Sequence, residues 1–283
     1  MSGILYLIPT PIGNLSEVSP RIISTIKEVD FVACEDTRNT SKLLSLLGLS
    51  KTCVSCHEHN EFGESEKIVN QILNGKNVAY MSDAGYPCIS DPGSILVKKA
   101  IENNIKVVPL SGPNAFLNGL VGSGIDSSHF LFYGFLDPKE GKRKSELEKL
   151  KNIEFTLIFY EAPHRIMDTL KSIYEVLGNR QICVARELTK VYEEFIRGDV
   201  KSIIENYKSF KGEMVIIVEK NQENSKNNGF LEGFLEKVND LTSAGLSQKD
   251  AINAVSTLFN VNKNKLYKEV INNKKINMDE FFH

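Results

Sequence analysis

Seven short polar clusters in this chain each stand directly behind a run of apolar residues. They are PTPIGN (9–14), EDTRNT (35–40), HEHNE (57–61), SDAGYPCISDPG (82–93), SGPNA (111–115), YEAPHR (160–165) and ARELTK (185–190). Their residue types can move protons or hold anions: His57 and His59 among carboxylates, with Arg38, Arg165 and Arg186. Gly13, Gly85, Gly93 and Gly112 let backbone come close to a ligand, and neighbouring prolines stiffen the loops. Neither G-x-G-x-x-G nor G-x-x-x-x-G-K-[ST] occurs, which excludes dinucleotide and P-loop chemistry. The expected ligand therefore carries little phosphate, and backbone amides would read a carboxylate, an amine or an adenine edge.

Cys53-x-x-Cys56-His57 spells a haem-attachment signature, but both cysteines fall in an expected strand and no export signal precedes them. A zinc site built from Cys53, Cys56, His57 and His59 lacks a distant second pair of ligands. Neither haem nor metal is expected.

The elements that must position these clusters follow from the apolar rhythm. Ile4–Ile8, Phe31–Cys34, Val78–Met81 and Ile105–Leu110 read as buried strands separated by amphipathic helices. That alternation predicts a parallel sheet over 1–118, and in such a sheet ligands bind outside the carboxyl ends of the strands. Ser19-Pro20 and Asp91-Pro92 read as helix starts, and Gly48 and Gly75 as helix stops. Over 119–220 a second α/β unit is expected, with strands near 129–135, 154–161, 181–187, 192–198 and 212–220 and a helix opening at Pro163. The short Leu188–Val191 link predicts an antiparallel hairpin, hence a mixed sheet. NQENSKNNG (221–229) reads as a polar linker into a helical tail. There Ser247 caps a helix with Ala251, Ile252 and Val255 facing inward. A turn at 260–262 leads to a second helix bearing Leu266 and Val270, at helix-turn-helix spacing.

The 283 residues carry 34 Lys+Arg against 36 Asp+Glu, with 41% apolar residues, so disordered, collagen-like and disulfide-scaffold classes are excluded. The net charge of −2 also excludes a uniformly basic wrapping protein. Local patches remain at Lys139–Lys144 and over Lys263–Lys275. The five cysteines are odd in number and scattered, as expected for reduced thiols in the cytoplasm.

TPIGNL, CEDTRNTSKLL, HEHNE, SDAGYPCISDPG, GPNA, FYEAPHR and ARELTK, in this order, resemble the ribosomal RNA small subunit methyltransferase I family of the tetrapyrrole methylase superfamily. The likeness spans about residues 4–220 and continues into the tail. Ser111 before GPNA and Asp137 in LDPKEGKRK depart from the family pattern, and Cys53 and Cys56 lie outside it. The resemblance implies two α/β domains plus the helical extension, a homodimer, and S-adenosylmethionine held in the cleft between domains. It further implies methylation of the 2′-hydroxyl of a cytidine in the decoding region of 16S rRNA. By motif, Pro11, Ile12 and Gly13 form the first-strand loop of the cofactor site. Ser82, Asp83, Ala84 and Gly85, with Ile89, meet the amino-acid and ribose portions, and Asn114, Ala115, Glu161 and Leu188 line the remainder.

A ribose hydroxyl is a poor nucleophile, so a positioned base is expected among Glu35, His57, His59 and Glu187 at the rim, with Asp36 and Glu58 beside them. Arg38, Lys142, Arg143, Lys144, Arg165, Arg186, Lys190, Lys263 and Lys265 are the candidate RNA contacts. Structural ion pairing of Glu35 with Arg38 and of Arg186 with Glu187 is the alternative for those groups. Two other functions stay open. A small-molecule, tetrapyrrole-type methyltransferase would leave the basic segments idle, and a helix-turn-helix regulator with a ligand-sensing α/β part would not need the histidine and arginine clusters.

Overall fold

The computed structural model describes residues 2–221, 223–259, 261–264, 266–268 and 270–271, and over 223–232 the backbone only. Met1–Lys220 form one compact unit and Asn221–His283 another.

The first unit holds two five-stranded sheets. β1 (Ile4–Ile8), β2 (Phe31–Cys34), β3 (Cys53–Ser55), β4 (Val78–Met81) and β5 (Lys106–Pro109) pair in the order β3-β2-β4-β1-β5, every pair parallel. Helices α1 (Pro20–Glu28), α2 (Thr37–Leu46), α3 (Glu61–Leu73) and α4 (Ser94–Glu102) cover it. Strand alternation splits the core in two: Val32, Cys34, Ala79 and Met81 pack with Ile22, Ile26 and Leu44, while Ala33, Val78 and Tyr80 pack with Ile68, Ile72 and Leu96. A parallel sheet buried on both faces puts all five carboxyl ends on one edge. The clusters read from the sequence therefore converge there.

The chain crosses through α5 (Ala115–Ser123), whose Leu120 packs on the second sheet; the expected boundary at 118/119 falls inside this helix. β6 (Phe130–Phe135), β7 (Thr156–Glu161), β8 (Gln181–Arg186), β9 (Glu194–Asp199) and β10 (Met214–Val218) pair in the order β6-β7-β10-β8-β9. β6 and β7 are parallel and the other pairs antiparallel, so the sheet is mixed and β8–β9 is the expected hairpin. α6 (Glu140–Leu150), α7 (Ile166–Leu177) and α8 (Val200–Asn206) bury Leu147, Leu170, Ile173 and Ile203 against it.

Three local expectations are corrected. Helix α4 begins at Ser94, not at Asp91-Pro92, because Gly93 takes φ +124° and breaks the chain away from Pro92. Helix α7 begins at Ile166, not Pro163, since the Ala162 carbonyl accepts from the Arg165 and Ile166 amides and closes a turn first. The segment read as a linker enters α9 (Glu223–Ser243), which lacks any internal proline and propagates from a packed end. In this second unit, α9 contributes Phe234, Leu235 and Val238 to a core shared with Ala251, Ile252 and Val255 of α10 (Gln248–Phe259) and with Leu266 and Val270. Ser247 Oγ accepts from the Asp250 amide, capping α10.

Candidate functional site

Two loops at the sheet edge are stitched together. Thr10 and Gly85 exchange both backbone hydrogen bonds, at 2.9 and 3.0 Å. Thr10 Oγ1 donates to the Ser82 carbonyl at 3.2 Å, and Ser82 Oγ to that of Gly85. Gly85 sits at φ +74°, a conformation glycine takes at little cost. The Gly112 amide donates to the Tyr86 hydroxyl at 3.0 Å and joins the 111–114 loop to the same frame.

The second sheet faces this frame across a cavity of about 280 Å³. Ile12, Ala84, Gly85, Ile89, Asn114, Ala115, Glu161 and Leu188 of the expected cofactor residues line it. The other four, Pro11, Gly13, Ser82 and Asp83, line a smaller cavity of about 230 Å³ that shares both loops and is completed by Asn39, Thr40, Leu15 and Leu43. Sequence reasoning missed Tyr86, Asp91, Phe135, Tyr160, Glu213, Met214 and Val215. Tyr86 and Asp91 lay inside a motif already singled out. The β10 residues lay at a strand start, which carried no signal. Antiparallel pairing of β10 with β7 and β8 sets Met214 beside Glu161 and Arg186, so its first residues join the edge where its neighbours end.

Strained backbone concentrates here. Cys88, Ser90, Glu187 and Thr189 all take positive φ, between 51° and 69°. For non-glycine residues each costs of order 1–3 kcal/mol, which the surrounding packing must offset. Thr189 Oγ1 is buried without a hydrogen-bond partner among the described residues, facing the Gly13 backbone.

The electrostatics of the edge are acidic. Burial pushes the Asp91 carboxyl up to about 6, helped by the charges of Glu35 and Asp83. Burial and Asp83 likewise raise Glu35. Asn39 Nδ2 donates to Asp83 at 2.8 Å. Glu161 has a fully buried side chain held by Arg165 at 2.8 Å, Thr169 and its own following amide. Its carboxylate is thus committed to partners within the protein.

None of the expected bases lines the cavity. The His59 amide donates to His57 Nδ1 at 3.2 Å, and the His57 amide to Asn60. Glu187 pairs with Lys190 at 3.0 Å, and Lys190 also reaches Glu213. The pairs weighed from sequence do not form: Arg38 pairs with Asp36, holding that carboxyl down to about 2, and Arg186 pairs with Glu194.

The basic candidates divide sharply. Arg143 is 4% exposed, its guanidinium spent on Ser172 Oγ and the Pro138 carbonyl, and Arg165 is spent on Glu161. Arg143 is bonded inside because a desolvated guanidinium must be, while Arg165 keeps part of its side chain in solvent. Lys144 is bridged between Glu140 and Glu175. Lys142 and Arg38 each pair with a nearby aspartate, Asp137 and Asp36, but stay 70% and 88% exposed. Lys263 is exposed in the second unit, and Lys265 lies outside the described residues.

Comparison with known proteins gives a consistent picture. A family profile described as Tetrapyrrole (Corrin/Porphyrin) Methylases matches residues 4–204. The chain is 45% identical over 271 residues to "Ribosomal RNA small subunit methyltransferase I" of Bacillus subtilis (strain 168), covering 94% of this chain and 93% of that protein. It is 42% identical to the protein of the same name from Haemophilus influenzae, covering 94% and 96%. Among solved structures, a diphthine synthase superposes with a TM-score of 0.61 at 11% identity, over 77% of this chain and 90% of that one. The uroporphyrin III C-methyl transferase of Thermus thermophilus does so at 0.54 and 15%, over 76% and 97%. At such identities the last two show a common fold.

Proposed function

The chain belongs to the ribosomal RNA small subunit methyltransferase I family and is a methyltransferase of small-subunit ribosomal RNA; from this premise we propose that it methylates the 2′-hydroxyl of a cytidine in the decoding region of 16S rRNA, with S-adenosylmethionine as donor. The observation that carries the proposal is the cavity between the two sheets, where eight of the residues matched by motif meet.

The residues present suit that donor. Ile12, Ile89, Leu188, Met214 and Val215 offer apolar faces for a flat adenine and a thioether chain. Asp91 places a carboxylate where a cationic donor is favoured, and Asn114 caps the start of α5. Bound there, S-adenosylmethionine supplies a methyl group activated by its positively charged sulfur. The protein's own task is orientation, since transfer needs the acceptor oxygen in line with the departing sulfur; holding that geometry supplies roughly 7–11 kcal/mol. The stitched 10–13 and 82–86 loops form the rigid wall this requires. Arg38, beyond β2, and Lys142, beyond β6, stand exposed beside the edge for flanking phosphates.

Leu117 and Val121 of α5, with Phe130 and Phe135 of β6, stay 40–75% exposed and support a second copy of the chain as their cover. The setting proposed is the cytoplasm; among the described residues no helix is long and apolar enough to cross a membrane.

The test incubates the protein with labelled S-adenosylmethionine and 30S subunits, free 16S rRNA or a tetrapyrrole. Label in 2′-O-methylcytidine, seen as a dinucleotide resistant to alkaline cleavage, is the expected result. Label on a base, or on the tetrapyrrole alone, overturns it.

A further inference from the structure

We propose that Asp91 is the general base of the methyl transfer, taking the proton of the acceptor hydroxyl. This rests on the methyl-transfer function proposed above.

Three carboxylate residues line the cavity, and two are occupied: Glu161 by Arg165 and Thr169, Glu213 by Lys190. The Asp91 carboxylate accepts no hydrogen bond and makes no ion pair among the described residues, although it is only partly exposed. A partly desolvated carboxylate with no internal partner is kept for something that enters the cavity.

Its position is over-determined. Cys88 and Ser90 hold left-handed backbone on its amino-terminal side. The Cys88 amide donates to the Pro92 carbonyl and the Ile89 amide to that of Tyr86, closing a loop around it. On its carboxyl side, the Gly93 amide is anchored to the buried Glu61 at 3.0 Å. Ser90 packs against Gly134 of β6, where a Cβ would stand 3.3 Å from the hydroxyl, so the loop is wedged between the sheets. Strain held by such a frame is a mark of preorganisation.

The groups facing Asp91 are Glu35 and Asp83 from the first sheet's loops, Cys88 on its own loop, and Tyr160 from β7. No cation is among them, so nothing offsets burial. A carboxyl titrating at about 6 is ionised at neutral pH and still basic enough to be useful.

The step balances simply. The acceptor O–H proton passes to an Asp91 carboxylate oxygen as the O–C bond to the methyl group forms. The methyl C–S bond breaks with its electron pair staying on sulfur, giving a neutral thioether. Asp91 then returns the proton to water.

The test compares wild type, Asp91→Asn and Asp91→Glu on 30S subunits in single turnover. Calorimetry with S-adenosylhomocysteine, and NMR titration of [13C]aspartate carboxyls in the ligand-free protein, accompany it. Asp91→Asn should lower the rate about 10²–10⁴-fold. Product affinity should stay within about threefold, and the carboxyl titrating near 6 should vanish. Asp91→Glu should recover part of the rate with its pH dependence. Asp91→Asn methylating at the wild-type rate overturns this proposal alone, as does a loss of S-adenosylhomocysteine binding of about tenfold or more, which makes Asp91 a ligand of the product. Wild-type protein that labels no RNA overturns the substrate assignment with it.

Discussion

Glu61 Oε1 lies 3.0 Å from the Gly93 backbone nitrogen, so the first residue of α3 caps a helix that begins 33 residues later. The same oxygen accepts from the Ile95 and Leu96 amides at 2.8 and 3.2 Å. A buried carboxylate at a helix amino terminus satisfies orphan donors and complements the helix dipole at once.

Replacing Glu61 by Ala leaves three amides without that acceptor. Charged hydrogen bonds contribute about 1.5–3 kcal/mol, so a loss of roughly 3 kcal/mol is expected, read as a lower denaturation midpoint. Glu61→Gln keeps an acceptor and should recover part of that loss. An unchanged midpoint in Glu61→Ala would refute the capping role.

Arg165 is predicted to act on stability rather than on RNA. Arg165→Ala strands the fully buried Glu161 carboxylate, and breaking one side of a buried pair costs about 3–5 kcal/mol. Denaturant unfolding should show that loss, and it should shrink when Glu161→Gln is added.

Arg38 and Arg143 should separate in an RNA-binding assay. Arg38→Ala removes an exposed cation, and the slope of log affinity against log salt should fall by about 1. Arg143→Ala should lower stability and leave the slope alone, since its guanidinium points into Ser172 and Pro138. A slope left unchanged by Arg38→Ala would mean that Arg38 touches no phosphate, and a fall in Arg143→Ala would mean that Arg143 does.

Asp91 makes stability depend on pH in an unusual direction. Its folded-state pKa of about 6 lies above the usual 3.8, so the native protein binds the proton more tightly than the unfolded chain. Stability from this group falls as pH rises from about 4 to about 6 and stays low above. Asp91→Asn should therefore melt higher than wild type at pH 7.5, with the difference fading toward pH 4. A gain that persists at low pH would mean another cause.

Much of the framework was legible in the residues. The apolar runs Ile4–Ile8 and Val78–Met81 are strands, and Ser19-Pro20 opens a helix where expected. Patterns of this kind are local: burial on both faces dictates a continuous apolar run, and a cap needs only a few neighbouring atoms. The Asp91-Pro92 cap failed because Gly93 turns the chain away after Pro92, and a distant carboxylate, Glu61, caps the helix that follows.

By itself the sequence determined two α/β layers with chemistry at the strand ends, because alternating runs of apolar residues admit few other solutions. Which of its charges would be available for chemistry was decided by tertiary structure alone. Arg143 and Arg165 read as RNA contacts but are committed to internal partners, Arg143 buried and Arg165 half-buried, whereas Asp91 reads as a helix start and ends up in the cavity without a partner among the described residues. Met214 and Val215 joined the site because antiparallel pairing turned a strand's beginning toward its neighbours' ends. Ionisation, pairing and register depend on what long-range folding brings within a few ångströms, and no spacing along the chain encodes that distance.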